Sequence, residues 1–98
     1  MRELDPVIHA PKRLRIMTIL NATNRAQFTY LQNRLELAAP DLSKQMRALA
    51  DAGYVRVSKT GKGPGSSTWF RLTRQGHVAY DAYVAALREL IDAPPAER

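Results

Sequence analysis

Apolar residues recur along this chain with two different periods, and the change of period divides it into elements. From Pro11 to about Asn21, Leu14, Met17 and Leu20 fall three apart, with Ile16 and Ile19 widening the stripe and Lys12, Arg13 and Arg15 mostly off its centre. This pattern predicts an amphipathic helix opened by Pro11, whose missing N–H has no intrahelical partner at that position anyway. Ahead of it, Leu4 to His9 reads as an arm or a single helical turn. Asn21 to Gln27 is polar and loop-like. Phe28 then anchors the start of Thr29-Tyr30-Leu31-Gln32, a capping-box pattern that predicts a short helix to about Leu35. Leu37 to Asp41 reads as a turn into a third helix running to about Ala52, with Pro40 early and Asp41 near the positive end of the helix dipole. Leu42, Met46 and Leu49 form its buried face, and Gly53 is a natural left-handed stop.

Beyond Gly53 the period drops to two. Tyr54 to Lys59 and Thr68 to Leu72 alternate apolar with polar around a Gly/Pro-rich stretch from Thr60 to Ser66, which predicts a β-hairpin with a flexible basic tip. Thr73 is placed to cap a last helix from Arg74 to about Ile91. That helix carries two adjacent apolar stripes, Tyr80, Val84, Leu87 and Ile91 beside Ala79, Tyr83, Ala86 and Leu90. Two stripes exceed what one small core covers, so Tyr80, Tyr83, Val84, Leu87, Leu90 and Ile91 are expected at a homodimer interface. A long helix packing only across its own domain is the simpler alternative.

Charge adds a direction to this outline. The chain has 98 residues, with 15 Lys and Arg against 9 Asp and Glu, a net charge of +6. Residues 44–74 hold Lys44, Arg47, Arg56, Lys59, Lys62, Arg71 and Arg74 against Asp51 alone, so that stretch carries as much net charge as the whole chain. Such a concentration fits a polyanion-binding surface rather than a uniformly solvated one. On the third helix, Pro40, Lys44, Arg47 and Asp51 lie opposite the apolar face, flanked by Asp41, Ser43 and Ala48.

Helix, helix, turn, helix, hairpin, helix is the order of a winged helix-turn-helix: an α+β, mainly α fold whose third helix enters the major groove while the hairpin flanks it. A helix of about 12 residues is about 18 Å long and fits a groove about 12 Å wide. The expected DNA-contacting set is Pro40, Asp41, Ser43, Lys44, Arg47, Lys59 and Lys62, with Lys62 reaching the backbone or minor groove from Gly61-Lys62-Gly63-Pro64-Gly65. Residues 1–92 are expected to form one domain, including the last helix, and residues 93–98 a flexible tail.

Other chemistries find little support. With no cysteine there is no disulfide, no thiolate metal site and no cysteine nucleophile. His9 and His77 are too few for a metal site, and the serines have no neighbouring His and acid, so neither catalysis nor a cofactor is expected. The glycine-rich tip lies between strands and lacks the ending of a phosphate loop. Trp69, Phe70, Tyr54 and Phe28 read as core and hairpin packing rather than base-stacking platforms. No apolar run suits a membrane span or a secretory signal, so a cytoplasmic location is expected.

Leu4 to Ile16, Leu42-Ser43-Lys44-Gln45-Met46-Arg47-Ala48-Leu49, Ala52-Gly53-Tyr54-Val55 and Thr68 to Gly76 resemble the small stand-alone winged-helix regulators related to the MarR and ArsR groups. The resemblance implies a dimeric transcriptional regulator acting on double-stranded DNA, in the simplest case a repressor on a near-palindromic operator. It departs from those proteins where the third helix opens with Ala39-Pro40 in place of a Thr or Ser cap. A small-molecule effector is left unassigned, because no convergent polar constellation argues for one. The rival reading is a winged-helix module that binds another protein, which needs no such excess of positive charge.

Overall fold

A computed structural model describes residues 3–93 of the chain. The expected tail thus lies outside the described residues from position 94 onward. The elements are α1 (Pro11–Ala22), β1 (Ala26–Gln27), α2 (Phe28–Leu35), α3 (Ala39–Asp51), β2 (Val55–Thr60), β3 (Ser67–Leu72) and α4 (Arg74–Asp92). The three strands form one antiparallel sheet in the order β1-β3-β2. This is the winged helix-turn-helix architecture that the sequence pattern predicts.

Two local expectations are corrected. The polar stretch before α2 is not all loop: Ala26 and Gln27 pair with Phe70 and Trp69, so the chain enters the sheet for two residues. Two residues carry too little periodicity to register in sequence. For the same reason Thr29 does not cap α2. The helix starts at Phe28 directly from the strand, Gln27 is its N-cap with no side-chain cap bond, and Thr29 sits within the first turn. Partly buried Phe28 packs against Phe70, with ring centroids 6.2 Å apart.

The core lies between α1, α2, α3 and one face of the sheet. Ile16, Met17 and Leu20 of α1, Leu31 and Leu35 of α2, and Leu42, Met46 and Leu49 of α3 are buried there with Val55, Phe70 and Leu72. The segment before α1 is a single helical turn, with the His9 N–H bonded to the Asp5 carbonyl at 2.8 Å. It is fixed at several points. Ile8 is fully buried, the Asp5 carboxylate accepts from the Val7 N–H and the Tyr54 hydroxyl, and His9 Nδ1 lies 2.8 Å from the Tyr83 hydroxyl. The bond to Asp5 is the main reason the Tyr54 hydroxyl is pushed up to about 12, with burial adding to it.

The joint between α3, β2 and α4 has a specific geometry. Tyr54 N–H bonds to Leu49 O and Gly53 N–H to Ala50 O, while Gly53 takes φ +83°. These are the two bonds of a Schellman stop, and the left-handed residue they require is the glycine read from sequence. Thr73 caps α4 as expected: its hydroxyl accepts from the Gly76 N–H at 2.9 Å and donates to the Gly53 carbonyl at 2.6 Å. Gly76 was not singled out by pattern, yet a Cβ there would sit 2.1 Å from the Tyr54 carbonyl oxygen. The close approach of helix and turn leaves room for glycine alone.

Candidate nucleic-acid interface

The third helix presents the face that its sequence requires. Leu42, Gln45, Met46 and Leu49 are buried, whereas Pro40, Ser43, Lys44, Arg47 and Asp51 are exposed. Pro40 sits in the first turn, where no N–H is needed, and Ala38 takes the cap position without a side-chain bond. No cap hydroxyl crowds this end, and Pro40, Ser43, Lys44 and Arg47 line a shallow hollow there.

The wing extends this surface. Along β2 and β3 alternate side chains point to opposite faces, which places Val57, Lys59, Thr68 and Phe70 on the side facing α3. Ser43, Arg47 and Ala50 of α3 and Val57, Lys59 and Thr68 of the sheet line one groove of about 460 Å³. Exposed Lys62 lies in the connection from Gly61 to Ser66, where Gly61, Gly63 and Gly65 all have positive φ. Helix, groove and wing tip therefore offer Lys44, Arg47, Lys59 and Lys62, and none of the four has a carboxylate partner among the described residues.

Asp41 is placed differently from the rest of the expected set. Its carboxylate accepts from the Lys12 ammonium and from Gln45 Nε2 at 2.9 Å, and the Lys12 bond above all holds it below the usual carboxylate range. Gln45 Oε1 in turn accepts from Arg13 Nη1 at 2.9 Å, and Arg13 Nε donates to the Val7 carbonyl at 2.6 Å. Asp41 thus belongs to a polar clamp that fixes the start of α3 against α1. Only its spacing of four from Gln45 hints at this in sequence. Gln45 is the one buried polar side chain among the described residues, and the clamp satisfies it.

The basic stretch does not form one surface. Arg56 and Arg71 pair across β2 and β3 on the opposite side of the sheet from Lys59, because they lie an odd number of residues away from it in register. Trp69 shares that outer side, with the Arg25 guanidinium 3.9 Å from its ring centroid. Composition alone had grouped all seven bases.

The expected dimer residues also separate. Tyr83 and Ala86 are buried in their own domain, and Ala79, Tyr80 and Leu87 are partly buried against the same core. Tyr83, expected at a dimer interface, is instead a core residue at 2% exposure, held by His9. Leu90 and Ile91 remain 49% and 68% exposed, because the last turn of α4 runs past the domain that the helix covers. His77 is exposed, and no group of three His, Cys, Asp or Glu side chains that could hold a metal ion occurs among the described residues. No helix among them is long and apolar enough to cross a membrane.

Comparison with known proteins supports the same reading of the fold. Residues 12–91 match the family model of the winged helix DNA-binding domain. A transcriptional regulator homologue from Pyrococcus horikoshii OT3 superposes with a TM-score of 0.82 at 27% identity, covering 88% of this chain and 85% of that one. A MarR family regulator from Enterococcus faecalis V583 superposes with a TM-score of 0.74 at 21% identity, over 88% of this chain and 76% of the other. An uncharacterized protein of Methanocaldococcus jannaschii is 24% identical over 84 residues, 86% of this chain and 91% of its own length.

Proposed function

The chain belongs to the winged helix DNA-binding domain family, and on that premise we propose that it is a homodimeric, sequence-specific regulator of transcription that represses by occupying a near-palindromic operator. The observation that carries this reading is the basic face made jointly by α3 and the wing. Arg47 sits at the centre of the exposed face of α3, where an arginine reads a guanine edge bidentately, and Lys44 lies one turn earlier beside the phosphates. Ser43 and Pro40 give the helix a low profile at its leading end. Lys59 and Lys62 follow the backbone, fixing register without reading sequence.

Dimerisation rests on the end of α4. Leu90 and Ile91 are large apolar side chains left in solvent, continuous with the half-buried Leu87 and Val84. A twofold axis there sets two copies of α3 on one side of a duplex, about 34 Å apart, so half-sites fall about 10 bp apart. Ile91→Asp tests the contact without touching the core, unlike changes at Tyr83 or Leu87. Light scattering is expected to give monomers, and an unchanged dimer moves the interface elsewhere.

The function itself is tested by selecting duplexes from a random-sequence pool at two salt concentrations and sequencing those bound. An enriched inverted repeat is the expected result. Binding that vanishes with salt and enriches nothing would overturn the proposal and favour a protein-binding role for the same face.

A further inference from the structure

Three arginines stand abreast on the outer side of the sheet, and the operator-facing surface uses none of them. Arg56 of β2 pairs directly with Arg71 of β3. On the other side of β3, Ala26 pairs with Phe70 and Gln27 with Trp69, so one further step of that register sets Arg25 beside Arg71. The row Arg25, Arg71, Arg56 therefore crosses the sheet at one level, with strands about 4.8 Å apart. All three side chains are exposed, and none has a carboxylate partner among the described residues. The remaining residues of that side, Gln27, Ser58, Thr60, Ser67 and Trp69, carry no negative charge.

Like charges directly opposed across strands repel, and an anion lying over the row relieves that cost. The Arg25 guanidinium lies over the Trp69 ring, 3.9 Å from its centroid, a cation–π contact that favours this position in the row. The exposed Arg74, at the start of α4, lines a hollow with Arg71 beyond the end of β3. Asp81 is the one carboxylate in that hollow and forms no ion pair with either arginine, so two positive charges there face a single negative one.

We propose that this arginine row is a second polyanion-binding surface that takes the phosphate backbone of another DNA segment, so that the protein holds two duplexes together. The geometry separates the two surfaces. Lys59 and the groove beside α3 are on the inner side of the sheet, and the arginine row is on the outer side, facing away from any duplex seated against α3. Guanidinium groups spaced across a flat face, with no base-reading helix beside them, suit phosphates of any sequence. The inference rests on the DNA-binding function proposed above, since it concerns a second segment of the same polymer.

A two-duplex capture assay tests it. The duplex enriched by selection is immobilised, full-length protein is bound, and a labelled duplex of unrelated sequence is added. Wild-type protein is expected to retain the second duplex. Arg56→Glu combined with Arg71→Glu should lower that retention about tenfold while changing binding to the immobilised duplex less than about threefold, with thermal unfolding confirming the fold. Arg56→Lys combined with Arg71→Lys, which keeps the charge, should retain most of the capture.

Wild-type protein that binds the first duplex but captures no second one would overturn the inference and leave the proposed function standing. Failure to bind the first duplex at all would instead sink the proposed function. Unchanged capture by the glutamate variant would assign bridging to the two α3 helices of a dimer. Equal loss of both duplexes would place the row on the operator itself. Polyglutamate displacing the second duplex at lower charge concentration than unlabelled DNA would assign the row to an acidic protein. Each of those three outcomes also refutes the proposal.

Discussion

The third helix and the wing carry similar basic residues, yet the fold holds them in opposite ways. Leu42, Met46 and Leu49 bury one face of α3, and the clamp of Lys12, Asp41, Gln45 and Arg13 fixes its first turns against α1. In β2 only Val55 is buried, and the connection from Gly61 to Ser66 leaves Lys62 exposed. A base edge demands placement within tenths of an ångström, whereas a phosphate accepts a cation from many directions. Rigid support under Arg47 and slack under Lys62 fit the base-reading and phosphate-holding roles proposed for them. The one buried polar side chain among the described residues, Gln45, likewise belongs to α3.

Removing the apolar support of α3 should have the largest effect. Leu49→Ala should cost about 2–5 kcal/mol of stability in urea unfolding, whereas Val57→Ala, on the exposed groove wall, should cost about 0.5 kcal/mol or less. Similar losses at both sites would mean that helix and wing are supported alike. Gln45→Ala leaves Asp41 and Arg13 without a shared partner and should destabilise by about 1–3 kcal/mol. If the clamp orients the helix, this variant also weakens DNA binding beyond what its loss of stability explains. Binding unaffected in the folded variant would reduce the clamp to a structural contact.

Two smaller effects separate reading from holding. Arg47→Ala should cost about 1–3 kcal/mol of binding and relax the selected sequence at one position of each half-site. Lys62→Ala removes one phosphate contact per half-site, so it should weaken binding to all sequences alike and lower the magnitude of the salt slope by about two units per dimer. A sequence preference altered by Lys62→Ala would mean that the wing also reads bases.

The periodic parts of the molecule were legible because each follows from a local rule. The stripes of α1 and α3, the alternation of the hairpin, Pro11 and Pro40 in the first turns, Gly53 at φ +83° and the Thr73 cap all depend on residues within a few positions of one another. The exposed set Pro40, Ser43, Lys44 and Arg47 was legible for the same reason, since a helix with one buried face has a defined opposite face. Membership of the family followed from that order of elements, and residues 12–91 match its model.

What the sequence could not decide depended on distant segments. Strand β1 exists because β3 offers Phe70 and Trp69 as partners, and that pairing moved the start of α2 ahead of the capping-box threonine. Asp41 looked like a residue of the DNA face until Lys12, 29 positions away, claimed its carboxylate. Tyr83 looked like an interface residue until His9, 74 positions away, and the core enclosed it. Gly76 is required by the Tyr54 carbonyl, and the basic stretch was divided between two faces by strand register. The elements and their amphipathic faces were readable from the chain alone, because backbone periodicity and capping are local. Which polar groups are already engaged, and which way each charge faces, depend on neighbours that only the folded chain brings together.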